Sequence, residues 1–408
     1  MRLSEKKKVA LVNVFFAPQA IGGATRVLMD NVDVLLDQYG QDYDLVGFTS
    51  DHDFQPPHTV EPYIYRGMRV YRAGIIHRVN MDWHPHDDGM RKVFARFLEL
   101  EKPDVVHFHC IQRLTASIIE AVRSRGIPYV VTVHDAWWIS DFQFLMDASG
   151  KVYPNGHPDP FVPVEPPEGI SLEESINRRA YLKDLLNNAS QVMAVSEAFA
   201  HLYAINGVHN VVANRNGISP RVWPPKIPSP SGKIRLAHIG GMSAHKGYHL
   251  FKEALHKGRY SNLEALVVDH SKPDGYEARD WWGDVPVTFI GKVPQRSIGS
   301  LYARMDVLVA PSIWPESYGL VTREATAAGV WVVASNIGGI GEDIIPDRTG
   351  VVISPSVADL QRVFQELDAR SEVPAPDRAA RDNIRQVKEQ VSELVEIYNR
   401  VKKEEEKQ

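Results

Sequence analysis

Short β-branched runs alternate with longer amphipathic stretches, the alternation stops at a proline-rich break, and then it begins again. In the first half the strand-type runs are residues 9–16, 44–49, 104–110, 129–134, 191–195 and 210–213. Apolar positions at helical spacing occupy 24–38, 90–101, 114–124 and 172–187. Strand runs separated by helix-length segments predict parallel strands joined by crossover helices, hence an α/β fold. Residues 219–233 hold five prolines and few core-type side chains, so they read as a linker. Beyond it, strands are predicted at 234–239, 263–268, 287–290, 307–310, 330–334 and 351–353, with helices at 247–256, 296–305 and 318–328. The stretch 51–80 reads as irregular and 150–168 as a long surface loop. The tail at 377–402 reads as one amphipathic helix ending in the charged run 402–407. The chain is therefore expected to form two doubly wound parallel-sheet domains, 1–218 and 234–376, with a last helix in 377–408. Open sheets of this kind bind ligands at their strand ends, so a cleft between the two is expected to hold the site.

Bulk properties narrow the function. The net charge of −5 argues against nucleic acid as the main partner. With a single cysteine, Cys110, no intrachain disulfide can form, and an oxidising compartment is not indicated. The first eight residues are charged and run directly into a strand pattern, which does not read as a signal peptide. No apolar run approaches the ~18 residues of a membrane span. The expected location is cytoplasmic. Arg2, Lys6, Lys7 and Lys8, with Arg66, Arg69, Arg72 and Arg78, could meet anionic lipid as a peripheral contact, although scattered surface charge is the preferred reading.

Four segments should line the cleft. In the first, Gly22 and Gly23 follow strand 9–16 and open a helix; paired glycines let backbone approach a phosphate closely, or simply make a tight turn. The spacing is not that of a dinucleotide fingerprint. In the second, Gly240 and Gly241 precede Lys246-Gly247, where a lysine at a helix start suits a diphosphate or is merely solvated. P-loop spacing is absent, so no ATPase is implied. The third ends strand 129–134 with His134, either a functional residue at a sheet end or a core histidine. The fourth is Glu316-Ser317-Tyr318-Gly319-Leu320, running on to Glu324. Its strand-to-helix turn offers backbone N–H groups and a helix dipole to an anion, while two carboxylates eight residues apart can accept from hydroxyls. Phosphate donors beside hydroxyl acceptors suit a sugar nucleotide. Paired carboxylates also fit a glycosidase, and spacing alone does not choose between them. Asp51-His52-Asp53 could hold a metal but reads better as a solvated turn. The pairs His84/His86 and His107/His109 lack further ligands, so no zinc is expected. Trp137, Trp138, Trp281 and Trp282 could stack on sugar or base; core packing is the preferred role.

In order, Gly22-Gly23, Pro103–His109, His134-Asp135, Ser196-Glu197, Asn216-Gly217, Lys246-Gly247, Gly291, Ala310-Pro311-Ser312, Glu316/Glu324 and Gly338-Gly339 with Glu342 resemble the retaining glycosyltransferases of family 4. The resemblance covers nearly the whole chain. It implies the GT-B fold, two Rossmann-like domains facing a central cleft, with 1–218 on the acceptor side and 234–376 binding the donor. The last helix would pack back towards the N-terminal domain. It further implies that Glu324 grips the ribose and Glu316 the transferred sugar. Backbone at Tyr318, Gly319 and Leu320 would hold the diphosphate, and Lys246 would neutralise it. Gly22 and Gly23 would close over the donor, and His134 would meet the donor sugar or the reacting centre, so that Glu316, His134 and Lys246 would be the catalytic residues. The expected co-substrate is UDP- or GDP-linked, the acceptor a saccharide or lipid-linked saccharide, and no metal or other cofactor is expected. A sugar-nucleotide epimerase, a glycan phosphorylase or a non-catalytic sugar-nucleotide binder on the same fold are the alternatives. Where many family members carry an arginine, this chain has Gly241; Arg323, Arg215 or His245 could substitute.

Overall fold

Residues 9–12 are sealed from solvent on both faces, as in a central strand of a parallel sheet covered by helices on either side. The computed structural model describes residues 6–19, 21–51, 56–159, 162 and 164–405. Its first compact unit spans the described residues of Met1–Asp147, Asn155–Gly217 and Gln386–Gln408, and its second those of Ala148–Pro154 and Ile218–Arg385.

The first unit runs β1 (Lys7–Asn13), α1 (Gly22–Tyr39), β2 (Tyr43–Ser50), β3 (Val60–Tyr65), β4 (Met68–Ala73), α2 (Asp88–Glu101), β5 (Val105–Phe108), α3 (Ser117–Arg123), β6 (Tyr129–Val133), α4 (Leu172–Asn187), β7 (Gln191–Ala194), α5 (Glu197–Ile205) and β8 (Val211–Ala213). Helix starts follow local chemistry. Ser171 and Glu174 form a capping box for α4, and the Ser196 hydroxyl accepts from Phe199 N–H to start α5. The strand order is β3-β4-β2-β1-β5-β6-β7-β8, parallel throughout except for the β3–β4 hairpin. That hairpin corrects the irregular reading of 51–80. Its outer strand is largely exposed and carries Pro62, so the apolar alternation that marks a strand is missing from its sequence.

The second unit runs β9 (Ile234–His238), α6 (Tyr248–Lys257), β10 (Leu263–Asp269), β11 (Glu277–Trp282), β12 (Val285–Gly291), α7 (Ile298–Tyr302), β13 (Val307–Ala310), α8 (Leu320–Ala327), β14 (Trp331–Ser335), β15 (Gly350–Ile353), α9 (Val357–Asp368) and α10 (Arg378–Asp382). The order is β11-β12-β10-β9-β13-β14-β15, with only β11 antiparallel. On this edge strand Trp282 points into the core, whereas Trp281 is 64% exposed. The expectation of core packing for Trp281 is thereby corrected: side chains alternate between faces along a strand. Residues 219–233 contain no strand or helix, yet they are tied to the second unit through Ile227 N–H on Ala303 O at 2.8 Å and Ser229 Oγ on Glu264 at 2.8 Å.

The tail is two helices rather than one. α10 stops at Asp382, and α11 (Val387–Glu405) starts after a short break. Val391, Leu394 and Tyr398 of α11 join the core formed with Val9, Leu11 and Val32, and Tyr43 Oη donates to Asn399 Oδ1 at 2.9 Å. α11 thus belongs to the first unit although α10 belongs to the second.

Candidate functional site

In each sheet the chain leaves the first strand to one side and later returns on its other side. The resulting switch point lies between β1 and β5 in the first unit and between β9 and β13 in the second. Gly240, Gly241, Lys246, Glu316, Ser317, Tyr318 and Gly319 lie between β9 or β13 and the helix that follows, Gly22 and Gly23 open α1, Leu320 and Glu324 lie in α8, and His134 follows β6.

In the second unit β9 and β13 are parallel neighbours, with Leu308 opposite Ala237. The loops after them are drawn together at Gly247, whose φ is +71°. A Cβ there would stand 1.9 Å from the Pro311 carbonyl oxygen, so only glycine permits the approach. Lys246 Nζ consequently meets Glu316 Oε1 at 2.6 Å, seventy residues away in sequence. The Ser312 hydroxyl donates to Glu316 Oε2 at 2.5 Å. Burial alone would raise the Glu316 pKa. The Lys246 charge and hydrogen bond, with Ser312, outweigh it and hold the carboxyl below its ordinary value. Gly338 braces the same residue from behind: its φ is +70°, and a Cβ would lie 2.5 Å from the Glu316 backbone. Gly339 N–H donates to Glu316 O at 2.7 Å.

Ser317 and Tyr318 lead to Gly319, which begins α8 at φ +81° with no side chain capping the helix. Its first turn therefore presents backbone N–H groups and a positive dipole end. Glu324, one turn in, is 2% exposed and accepts from Tyr302 Oη at 3.0 Å. Gly240 and Gly241 follow β9, and the Gly241 carbonyl accepts from His238 Nε2 at 2.9 Å with the backbone at φ +92°. An arginine at 241 would have to adopt this left-handed conformation.

Of the substitutes suggested for that arginine, Arg323 is engaged within its own turn and His245 is uncharged. Arg323 is buried, with Nε on Asp343 Oδ2 at 2.6 Å, Nη1 on Tyr318 O and on Ile340 O at 3.2 Å, and its guanidinium 4.0 Å from the Tyr318 ring centre. It braces the turn from inside. His245 is pushed down to about 4 by burial and by Lys246, so it is neutral near pH 7. Arg215 belongs to the first unit.

In the first unit β5 and β6 are parallel neighbours, with Phe108 opposite Val131. This places His109 Nδ1 2.9 Å from His134 Nε2, with the two rings stacked at 5.2 Å. Behind them His107 bonds Tyr398 Oη at 2.7 Å and Thr132 Oγ1 at 2.8 Å. Burial lowers all three pKa values, to about 3 for His107, to about 4 for His134, and well below the usual range for His109. Asp135 is buried and accepts from Trp137 N–H, Gln112 and Gln143 at 2.9, 2.9 and 2.7 Å. Arg178, also buried, donates to the carbonyls of Trp83, Trp137 and Ser140 and so pins the loop that follows His134. Gly22 opens α1 at φ +81°, with Gly23 next to it; Ala20 of that turn lies outside the described residues.

The weaker motifs are absorbed by structure. Asp51 is buried against Arg72 at 3.2 Å, while His52 and Asp53 lie outside the described residues. Among the described residues no group of three or more His, Cys, Asp or Glu could hold a metal. Trp137 and Trp138 are core. Within the basic clusters Arg66 pairs with Asp33 and Asp37 at 2.6 Å each, Arg69 with Glu101 at 2.8 Å and Lys8 with Glu101 at 3.3 Å, while Lys6, Lys7 and Arg78 donate to the carbonyls of Gly40, Tyr398 and His86. Arg2 lies outside the described residues. No described helix is long and apolar enough to cross a membrane. Sequence reasoning assigned no site role to Ser312, Tyr302 or His109. Ser312 and His109 stood in recognised motifs, but Tyr302 carried no local signal, since its partner is twenty-two residues on.

Residues 22–217 match the model of a "Glycosyl transferase 4-like domain", and residues 221–376 match "Glycosyl transferases group 1". A glycogen synthase of Mycobacterium tuberculosis is 32% identical over 189 residues, covering 44% of this chain and 45% of the relative. The chain thus matches less than half the length of that relative. Among solved structures, a sucrose-phosphate synthase from Thermosynechococcus elongatus superposes with a TM-score of 0.70 at 17% identity, over 97% of this chain and 99% of that one. Anabaena HepE in complex with UDP-glucose superposes with a TM-score of 0.63 at 18% identity, over 95% and 99%.

Proposed function

Because the chain belongs to the family 4-like GT-B glycosyltransferases, we propose that it transfers a hexose-type sugar from a nucleoside diphosphate to a saccharide or lipid-linked saccharide acceptor, with retention at the anomeric carbon and without a bound metal. The observation that carries this reading is the Lys246–Glu316 pair beside the uncapped start of α8. Glycosidic cleavage leaves negative charge on the departing diphosphate. The α8 N–H groups and Lys246 are preorganised donors for that charge, which is the work a metal would otherwise do. Glu316 is kept ionised and is assigned to the hydroxyls of the transferred sugar; Glu324 is assigned to the ribose. Same-face attack, with the leaving phosphate taking the acceptor proton, requires no protein base, and the neutral ring of His134 suits hydrogen bonding to the sugar better than proton abstraction. Gly22 and Gly23 are assigned to the donor as well.

The test is a thermal-shift panel of UDP- and GDP-sugars, starting from UDP-glucose, followed by transfer assays with and without EDTA. A bound donor stabilises the fold by mass action. One nucleotide sugar should raise Tm well above the others, and the product anomer, read by NMR, should match the donor. No stabilisation by any member overturns the donor assignment. An inverted product removes retention, and activity abolished by EDTA removes metal independence.

A further inference from the structure

The two carboxylates of the donor site share a feature that their sequence spacing does not encode. In each, Oε2 is held by a buried hydroxyl from a different element. Ser312, in the loop between β13 and Glu316, donates to Glu316 at 2.5 Å. Tyr302, the last residue of α7, donates to Glu324 at 3.0 Å. Both hydroxyl-bearing residues are 1% exposed. The terminal torsion of a glutamate is broad, so a carboxylate plane is set by its partners rather than by its own rotamer. For Glu316 the two oxygens are divided, Oε2 to Ser312 and Oε1 to Lys246. The Tyr302 proton is offered to Glu324 Oε2 at 3.0 Å and to Val321 O at 3.3 Å. The nearer, charged acceptor is the stronger. The Tyr302 ring is itself fixed by Trp223, edge-on at 5.5 Å and 90°.

We propose that Ser312 and Tyr302 are independent positioning residues, Ser312 orienting Glu316 towards the donor sugar and Tyr302 orienting Glu324 towards the ribose. The proposal rests on the donor reading above. It goes further in assigning each hydroxyl to a separate part of the ligand, because the two residues lie on different elements and touch different carboxylates.

Ser312→Ala and Tyr302→Phe delete one hydroxyl each and keep the shape. Two ratios of dissociation constants are measured by calorimetry on wild type and on each variant. The sugar ratio compares the free nucleoside diphosphate with its sugar conjugate, taking whichever of UDP-glucose, UDP-N-acetylglucosamine and GDP-mannose stabilises the wild type most. The ribose ratio compares the 2′-deoxy nucleoside diphosphate with the ribo form, UDP or GDP accordingly. Loss of one charged hydrogen bond's orientation predicts that Tyr302→Phe lowers the ribose ratio about tenfold and leaves the sugar ratio within about twofold. Ser312→Ala should do the reverse. Because ratios are taken on one preparation, a partly unfolded variant does not change them. Both ratios falling together in either variant, or neither falling, overturns the proposal while the donor reading stands. Wild-type protein that binds none of these nucleotides overturns both.

Discussion

The two units share a sheet plan but dress their switch points with opposite electrostatics. In the first, the polar groups next to the strand ends are imidazoles kept neutral by burial: His107, His109 and His134, bonded to one another, to Thr132 and to Tyr398. In the second they are ions held in pairs, Lys246 with Glu316 and Arg323 with Asp343, with hydroxyls and glycine backbones setting the geometry. Neutral donors and acceptors suit hydroxyl recognition at any pH where they stay neutral. A paired lysine and an uncapped helix suit a ligand that brings its own negative charge. The difference teaches that a doubly wound sheet fixes where a site lies, while the residues at its loop ends decide what charge the site accepts.

The sharpest way to break this contrast is to neutralise the second unit. Glu316→Gln should lower transfer by about 10³-fold or more with the fold retained, whereas His134→Ala should cost about 10²-fold, since one is an ionised contact and the other a neutral one. Equal losses in steady-state assays would erase the distinction. Next in size, Lys246→Ala leaves Glu316 buried without its cation. Breaking a fully buried pair costs about 3–5 kcal/mol, and with Lys246 partly exposed about 2 kcal/mol is expected by denaturant unfolding. Double substitution with Glu316→Gln should recover much of it; simple additivity would show that the pair is not coupled.

Acidification should separate the units. A histidine whose pKa is lowered in the folded state leaves the unfolded chain as the better proton binder below 6.5, so its stability contribution is full above 6.5 and is lost as pH falls towards the folded value. His107 and His134, at about 3 and about 4, with His84, His109 and His157, put this loss in the first unit. Each tenfold difference in proton binding between the folded and unfolded chain is worth about 1.4 kcal/mol. The second unit carries two such histidines, His238 and His245, and its Glu316 contribution persists down to 4.5 before it is lost through the lowered folded value. Hydrogen exchange corrected for intrinsic rate should therefore rise in β5 and β6 before β13 and β14 between pH 6.5 and 5. The reverse order would contradict the assignment. The smallest effect is expected at Gly241→Arg, which restores the familiar arginine at a left-handed position. It should cost about 1–2 kcal/mol of stability and leave nucleotide affinity within a few fold. Markedly tighter binding would mean that the loop can re-form around a guanidinium.

Much of this was legible in the chain. The strand–helix alternation located most of the sheet strands because fully buried parallel strands read as continuous β-branched runs. Gly319, Gly247 and Gly338 were visible as motif glycines. The edge strands β3 and β11 were not, because exposed edges carry no apolar pattern, and β4 went with its hairpin partner β3 although it buries Met68, Val70 and Ala73 inside the sheet. The division of the tail at Asp382 was equally hidden, since no proline or glycine separates α10 from α11. The basic residues of the first unit looked like a charged surface only because their carboxylates are remote in sequence: Arg69 and Glu101 are thirty-two residues apart yet bidentate.

By itself the sequence determined the two α/β units, the stretches that leave their strands and the two glutamates with a lysine upstream. Propensity and periodicity are local, and local patterns suffice for these. Only the tertiary structure decided that Lys246 reaches Glu316, that Ser312 and Tyr302 hold the paired carboxylates, that Arg323 braces the turn, and that His109 bonds His134. The Lys246–Glu316 and His109–His134 contacts depend on which strands lie side by side and in what register. Pairing between strands is a property of the folded sheet, not of any window of the chain.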